Sequence, residues 1–215
     1  MSRVVIIDYG SGNLKSAQKA FEYASKNLVS HTKIIISKDS REVLNANRIV
    51  LPGVGSFGDC LRGLSTLPGM LEALQKHVIE KERPFMGICV GMQLLADYGM
   101  ENGYTKGLGW LKGEVVPLRP SGEGLKIPHM GWNDLEFSEN PSPIFAGLNT
   151  GDHAYFVHSY HFKCENPKEV FATVNHGGKI SAIVGRNNIL GTQFHPEKSQ
   201  RLGLMLIENF LKWCP

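Results

Sequence analysis

The chain has 215 residues, 42% of them hydrophobic and 20% charged, with a formal net charge of +3. This length suits one compact domain, and Lys and Arg that are scattered rather than clustered argue against a nucleic-acid partner. Residues 1–8 hold too short an apolar run for a signal peptide. No stretch approaches the ~20 apolar residues of a membrane span, so a cytoplasmic location with no membrane partner is expected.

Residues 3–7 read as a buried strand and residues 8–13, Asp-Tyr-Gly-Ser-Gly-Asn, as the loop after it. Leu14, Ala17, Ala20, Phe21 and Ala24 then recur at helical spacing behind Asn13, a natural N-cap. Further strands are expected at 33–36 and at 48–51, the second stopped by Pro52-Gly53. Residues 69–81 carry Met70, Leu71, Leu74 and Val78 on one helical face. A strand at 84–88 leads directly into a helix predicted over 90–98. Residues 99–124 are glycine-rich, with a strand-like piece at 114–118. Strands follow at 132–137, 154–162, 170–174, 180–184 and 189–194, and Gly177-Gly178 supplies a hairpin turn. An amphipathic helix over 200–213 closes a chain without repeats or linkers, so one domain is expected. The order predicts an α/β fold: an open, doubly wound, mixed but mainly parallel sheet with additional antiparallel strands.

In such sheets the functional crevice lies at the carboxyl ends of the strands. Residues 8–13, residues 52–58 and Cys89 all fall at such ends. None of the four cysteines stands in a C-x-x-C pair, so free thiols are expected, with Cys60, Cys164 and Cys214 as inert packing residues. Cys89 differs because Gly87-Ile88-Cys89-Val90-Gly91 matches, with a thiol, the sharp strand-to-helix elbow that presents a nucleophile. The alternative is a structural cysteine whose glycines serve only the turn.

His195-Pro196-Glu197 follows a predicted strand. In an extended segment residues two apart project to one side, so Glu197 can hold one imidazole nitrogen while the other addresses a thiol. Thiol, imidazole and carboxylate form the usual activated-nucleophile set. Gly53, Val54 and Gly55 lie in a turn whose peptides can aim N–H groups at a developing oxyanion, together with the N–H of Val90. Gln93 stands one helical turn after Cys89, on the same face. His158 and His161 are an odd number apart in a predicted strand and should face opposite ways. No metal or other cofactor is indicated. The loop at 8–13 lacks the third glycine of a dinucleotide loop, Lys15 standing in its place.

Gly87-Ile88-Cys89-Val90-Gly91-Met92-Gln93 with His195-Pro196-Glu197 resembles the paired signatures of class I (triad) glutamine amidotransferases. The resemblance runs from the first strand to the last helix and implies the flavodoxin-like fold of that family. It implies that Cys89 attacks the glutamine amide to form a γ-glutamyl thioester, that His195 handles the protons, and that Glu197 orients the imidazole. It also implies that Gln93 and Glu101 contact the amino-acid end of glutamine and that His158, Ser159 and Tyr160 line the opposite wall. The segments at 8–13, 51–57 and 126–133 together look like those of the glutaminase subunits of imidazole glycerol phosphate synthases. That likeness implies a cyclase partner with a (β/α)8 barrel in a heterodimer, with Asn13, Trp132 and Lys198 as interface residues. An amidotransferase subunit of another synthase, or a non-catalytic docking protein of the same fold, remains the alternative.

Overall fold

In the computed structural model, which describes residues 2–29, 31–122, 124–139 and 142–215, the apolar runs of the first half become one side of a sheet. Strands β1 (Ser2–Ile7), β2 (Thr32–Ser37), β3 (Arg48–Gly53) and β4 (Phe85–Cys89) pair in parallel in the order β2-β1-β3-β4. Strands of a parallel sheet are covered on both faces. Accordingly Val4 to Ile7 and the whole of β4 are buried. The connecting helices are α1 (Leu14–Ser25), α2 (Ser40–Leu44), α3 (Phe57–Thr66), α4 (Met70–Leu74) and the four-residue α5 (Val90–Gln93). Asn13 caps α1 as expected, its Oδ1 accepting from Ser16 N–H at 3.4 Å.

The second half supplies the remaining strands: β5 (Tyr98–Gly99), β6 (Thr105–Lys106), β7 (Gly113–Pro117), β8 (His129–Asp134), β9 (Glu136–Phe137), β10 (His153–His158), β11 (Tyr160–Cys164), β12 (Val170–Asn175), β13 (Lys179–Arg186) and β14 (Ile189–Thr192). Strand β14 joins the main sheet parallel to β4, and antiparallel β13, β12 and β9 extend it to eight strands. The mixed, mainly parallel α/β sheet anticipated from the strand–helix alternation is therefore present. Two smaller sheets, β10-β8 and β11-β7-β5-β6, lie outside it. Helix α6 (Gln200–Lys212) packs on α1, with Phe21 and Phe210 edge-to-face at 6.2 Å between centroids.

Four expectations change. The helix foreseen over 90–98 stops after one turn, because the loop at 107–111 claims the carbonyls that a longer helix would use. Leu108 N–H donates to Leu94 O, Trp110 and Leu111 to Leu95 O, Gly109 to Ala96 O and Gly107 to Asp97 O. The helix at 69–81 becomes α4 followed by a π-helical turn, Gln75–Glu80. The strand foreseen over 154–162 is two strands in different sheets, broken at Ser159, whose carbonyl accepts from Leu118 N–H. Helix α3 begins inside the stretch that reads as loop. Its signal is Ser56, whose Oγ accepts from Asp59 N–H at 3.1 Å, ahead of the buried stripe Phe57, Cys60 and Leu64.

Candidate active site

Strand β4 ends on Cys89, which takes φ 55° and ψ −111° before α5 begins. A non-glycine residue at positive φ is strained, and such strain is tolerated where it presents a functional side chain. The flanking glycines are a steric necessity. A Cβ on Gly91 would overlap the Leu51 carbonyl, and one on Gly87 would overlap the Gly91 carbonyl. The elbow therefore stands pressed against β3, where Gly53 pairs with Cys89.

His195 follows β14 and is reached by β10: its N–H donates to Tyr155 O at 3.0 Å, and Ser199 Oγ donates to its carbonyl at 2.7 Å. The segment is not extended as its spacing suggested. Pro196–Lys198 forms a 3-10 turn, and the turn itself brings Glu197 Oε1 to 2.8 Å from His195 Nδ1. Helix α6 presses on this turn so tightly that a Cβ on Gly203 would overlap Pro196 O. The carboxylate fixes the proton on Nδ1 and leaves Nε2 free of any other partner. Burial opposes a charged imidazole here, yet Cys89 and Glu197 outweigh it and hold the His195 pKa up at about 10. Cys89 acts on it both as a hydrogen-bonding partner and by charge, although the Nε2–Sγ alignment falls short of a regular hydrogen bond.

A cavity of about 310 Å³ opens above the thiol. Its walls gather Cys89, Val90, Val54, Gly55, Gln93, Glu101, His158, Ser159, Tyr160 and His195, with Pro128 and Val157. A larger cavity of about 440 Å³ beside Trp132 is lined by no cysteine. Glu101 also accepts from Phe57 N–H at 2.7 Å, which anchors the first residue of α3 to the pocket wall. Gly53 is buried in β3 and lies outside the cavity lining; a Cβ there would come within 2.7 Å of Tyr9 Oη. The Val54 peptide is held by the first loop. Val54 N–H donates to Ser11 Oγ at 3.0 Å, and Ser11 Oγ in turn donates to Val54 O. That N–H is thus committed to Ser11 and not to the cavity.

His158 and His161 do point into different surroundings, but because the chain breaks at Ser159 rather than through strand alternation. His158 instead pairs with His129, whose Nδ1 lies 3.0 Å from His158 Nε2. Among the described residues no group of three or more His, Cys, Asp or Glu could hold a metal ion. Of the three remaining thiols only Cys60 is fully buried; Cys214 is exposed, which corrects its expected packing role. Asn13 is exposed, and Trp132 and Lys198 lie outside the cavity lining, both against Tyr155, at 5.9 and 5.7 Å from its ring centroid. Sequence reasoning assigns no site role to Ser11, His129 or Gln193. Ser11 sits in the loop at 8–13 and Gln193 two residues before His195, so both stand beside motifs that draw attention.

The family of class-I glutamine amidotransferases matches residues 5–213, and the chain belongs to it. The imidazole glycerol phosphate synthase subunit HisH of Rhodospirillum rubrum is 53% identical over 213 residues, covering 99% of this chain and all of that one. The protein of the same name from Brucella abortus is 55% identical over 216 residues, again over 99% of this chain and all of its own length. A solved glutamine amidotransferase superposes with a TM-score of 0.71 at 19% identity, covering 97% of each chain. Another, from Thermotoga maritima, gives 0.65 at 16% identity, covering 98% of this chain and 96% of that one. No helix among the described residues is long and apolar enough to cross a membrane.

Proposed function

We propose that this chain is the single-domain glutaminase subunit of an imidazole glycerol phosphate synthase, working in the cytoplasm as a heterodimer with a (β/α)8-barrel cyclase. The observation that carries the reading is the meeting of Cys89 and His195 at one cavity, with Glu197 bonded to His195 Nδ1, in a chain more than half identical to full-length relatives of that name. Glutamine enters the cavity with its α-ammonium toward Glu101 and its backbone end between Gln93 and the wall at 158–160. The Cys89 proton rests on His195 Nε2, and the Sγ thiolate attacks the side-chain amide carbon. Collapse of the tetrahedral intermediate breaks the C–N bond, and the imidazolium returns the proton to the departing ammonia. A water, deprotonated by His195, then hydrolyses the thioester to glutamate and frees the thiol. Glu197 keeps Nδ1 protonated throughout, so that Nε2 is always the working nitrogen. Val90 N–H serves the oxyanion, joined by Val54 N–H once its bond to Ser11 is released.

Ammonia passes to the cyclase, which closes the imidazole ring and releases aminoimidazole carboxamide ribotide. The test incubates the purified chain with glutamine, with and without a cyclase barrel and its phosphorylated substrate. Glutamate should form rapidly only in the complete mixture, and Cys89→Ala should lower the rate by several orders of magnitude while the melt is unchanged. A glutamine-analogue chloroketone should label Cys89 and spare the exposed Cys214. Hydrolysis that persists in the Ala variant, or productive pairing only with a different synthase, overturns the assignment.

A further inference from the structure

Behind the nucleophile lies a second amide that the catalytic scheme does not use. Gln193 is fully buried, and its Nε2 stands 3.8 Å from Cys89 Sγ. Its Oε1 accepts from Gln93 Nε2 at 3.1 Å, and Gln93 Nε2 also donates to Tyr160 O at 2.9 Å. That carbonyl, which only accepts, also receives a hydrogen bond from His158 Nδ1 at 2.9 Å.

The chain of bonds settles which end of each amide faces which way. A backbone carbonyl has no proton to give, so the Gln93 atom beside Tyr160 O must be nitrogen. The Gln193 atom facing that nitrogen must then be oxygen. Its other end, the one toward sulfur, is therefore an N–H donor. A buried donor aimed at a thiol stabilises the thiolate more than the neutral form, because a hydrogen bond to a charged group in a dry site is stronger than one to a neutral group. The donor loses this advantage once sulfur is acylated and uncharged. A buried amide with no other purpose would cost folding free energy, and a Leu or Met would fill the same space.

We propose that Gln193 is a further catalytic residue, its side-chain N–H holding the Cys89 thiolate in the free enzyme and again as the thioester is hydrolysed. Gln93 and the Tyr160 carbonyl orient it. This assignment rests on Cys89 being the nucleophile of a glutaminase, as proposed above.

The experiment uses the full chain with its cyclase partner and two variants of matched bulk. Gln193→Met removes the donor, and Gln193→Glu replaces it with acceptors while keeping the shape. A hydrogen bond to a charged group is worth about 1.5–3 kcal/mol, so each variant should lose about ten- to a hundredfold in kcat, with KM for glutamine changed less than about threefold. Iodoacetamide should alkylate Cys89 about tenfold more slowly in both folded variants. Either variant, folded by its thermal melt and equal to the unaltered protein in kcat and alkylation rate, overturns the proposal. A change in KM alone does the same, since it would make Gln193 a support of the glutamine pocket. An unaltered protein that releases no glutamate from glutamine points instead to failure of the glutaminase reading, and the alkylation comparison still decides whether Gln193 governs the thiol.

Discussion

Three buried histidines within and around the cavity titrate in opposite directions, and their neighbours explain why. Burial pushes His158 down to about 3 and His129 down to about 4, with no carboxylate to resist it. His195 is equally shielded from water but faces Cys89 and Glu197, and it is held up at about 10. Only the histidine with an acidic partner can carry the transferred proton. The sign of the stability effect follows from linkage. The folded state holds the His195 proton above its ordinary value of 6.5, so this contribution is complete below pH 6.5 and lost as pH rises through about 10. The thermal midpoint should therefore fall across that window, and the fall should flatten in His195→Asn; parallel profiles would contradict it. On activity, Glu197→Gln should cost about ten- to a hundredfold less in kcat than His195→Ala, since an orienting carboxylate contributes less than the base it orients. Steady-state glutamate production in the complex measures both.

The turn after β3 is held by side chains of the first loop and of α3. Its Val54 N–H is engaged by Ser11 Oγ, and Cys60, whose thiol burial pushes up and keeps protonated, donates from Sγ to Val54 O at 3.3 Å. Both peptides of Val54 are thus fastened by neighbouring side chains, the 53–54 peptide through its N–H and the 54–55 peptide through its carbonyl. Turning Val54 N–H toward the oxyanion requires breaking the Ser11 bond. A net hydrogen bond of about 0.5–1.5 kcal/mol implies that Ser11→Ala raises the basal glutaminase rate of the lone chain about two- to tenfold. The rate with a ligand-occupied partner should change little. A basal rate that stays at the unaltered value in Ser11→Ala would show that Ser11 does not restrain the turn. The sequence made the loops at the strand ends legible, because buried parallel strands and Gly-flanked turns leave strong local signals. It also made Cys89, His195, Glu197 and Gln93 legible, because each stands in a compact motif. It could not show the Ser11–Val54 fastening, the His129–His158 pair or the Gln193–Cys89 contact, since each joins residues far apart in the chain. The short α5 went unread for the same reason: its limit is set by hydrogen bonds from the loop at 107–111.

At the scale of the whole molecule, His195 and a half-exposed aromatic patch meet at one residue of β10, Tyr155. Tyr155 of β10 accepts from His195 N–H, and its own N–H donates to Ser199 Oγ, which in turn bonds the His195 carbonyl. On the outer side its ring is flanked by Trp132 edge-on and by Lys198 Nζ. Trp132 is 47% exposed, and Met130 and Ile127 leading to it are exposed as well. A large apolar group left half in water contributes less to folding than a buried one, and such groups are favoured as anchors at interfaces. Free ammonia at neutral pH would be protonated and diluted, so the partner must seal the site before glutamine is spent. Trp132→Ala should therefore raise the ratio of glutamate formed to imidazole product formed and weaken complex formation by about tenfold or more. Losing partial burial should cost the free chain about 2 kcal/mol, a shift of about 4–8 °C for a domain of this size. The three measurements are the product ratio, the dissociation constant and the melt of the isolated subunit. A variant that unfolds alone, or one that docks and couples like the unaltered protein, would place Trp132 in the core rather than at the seam.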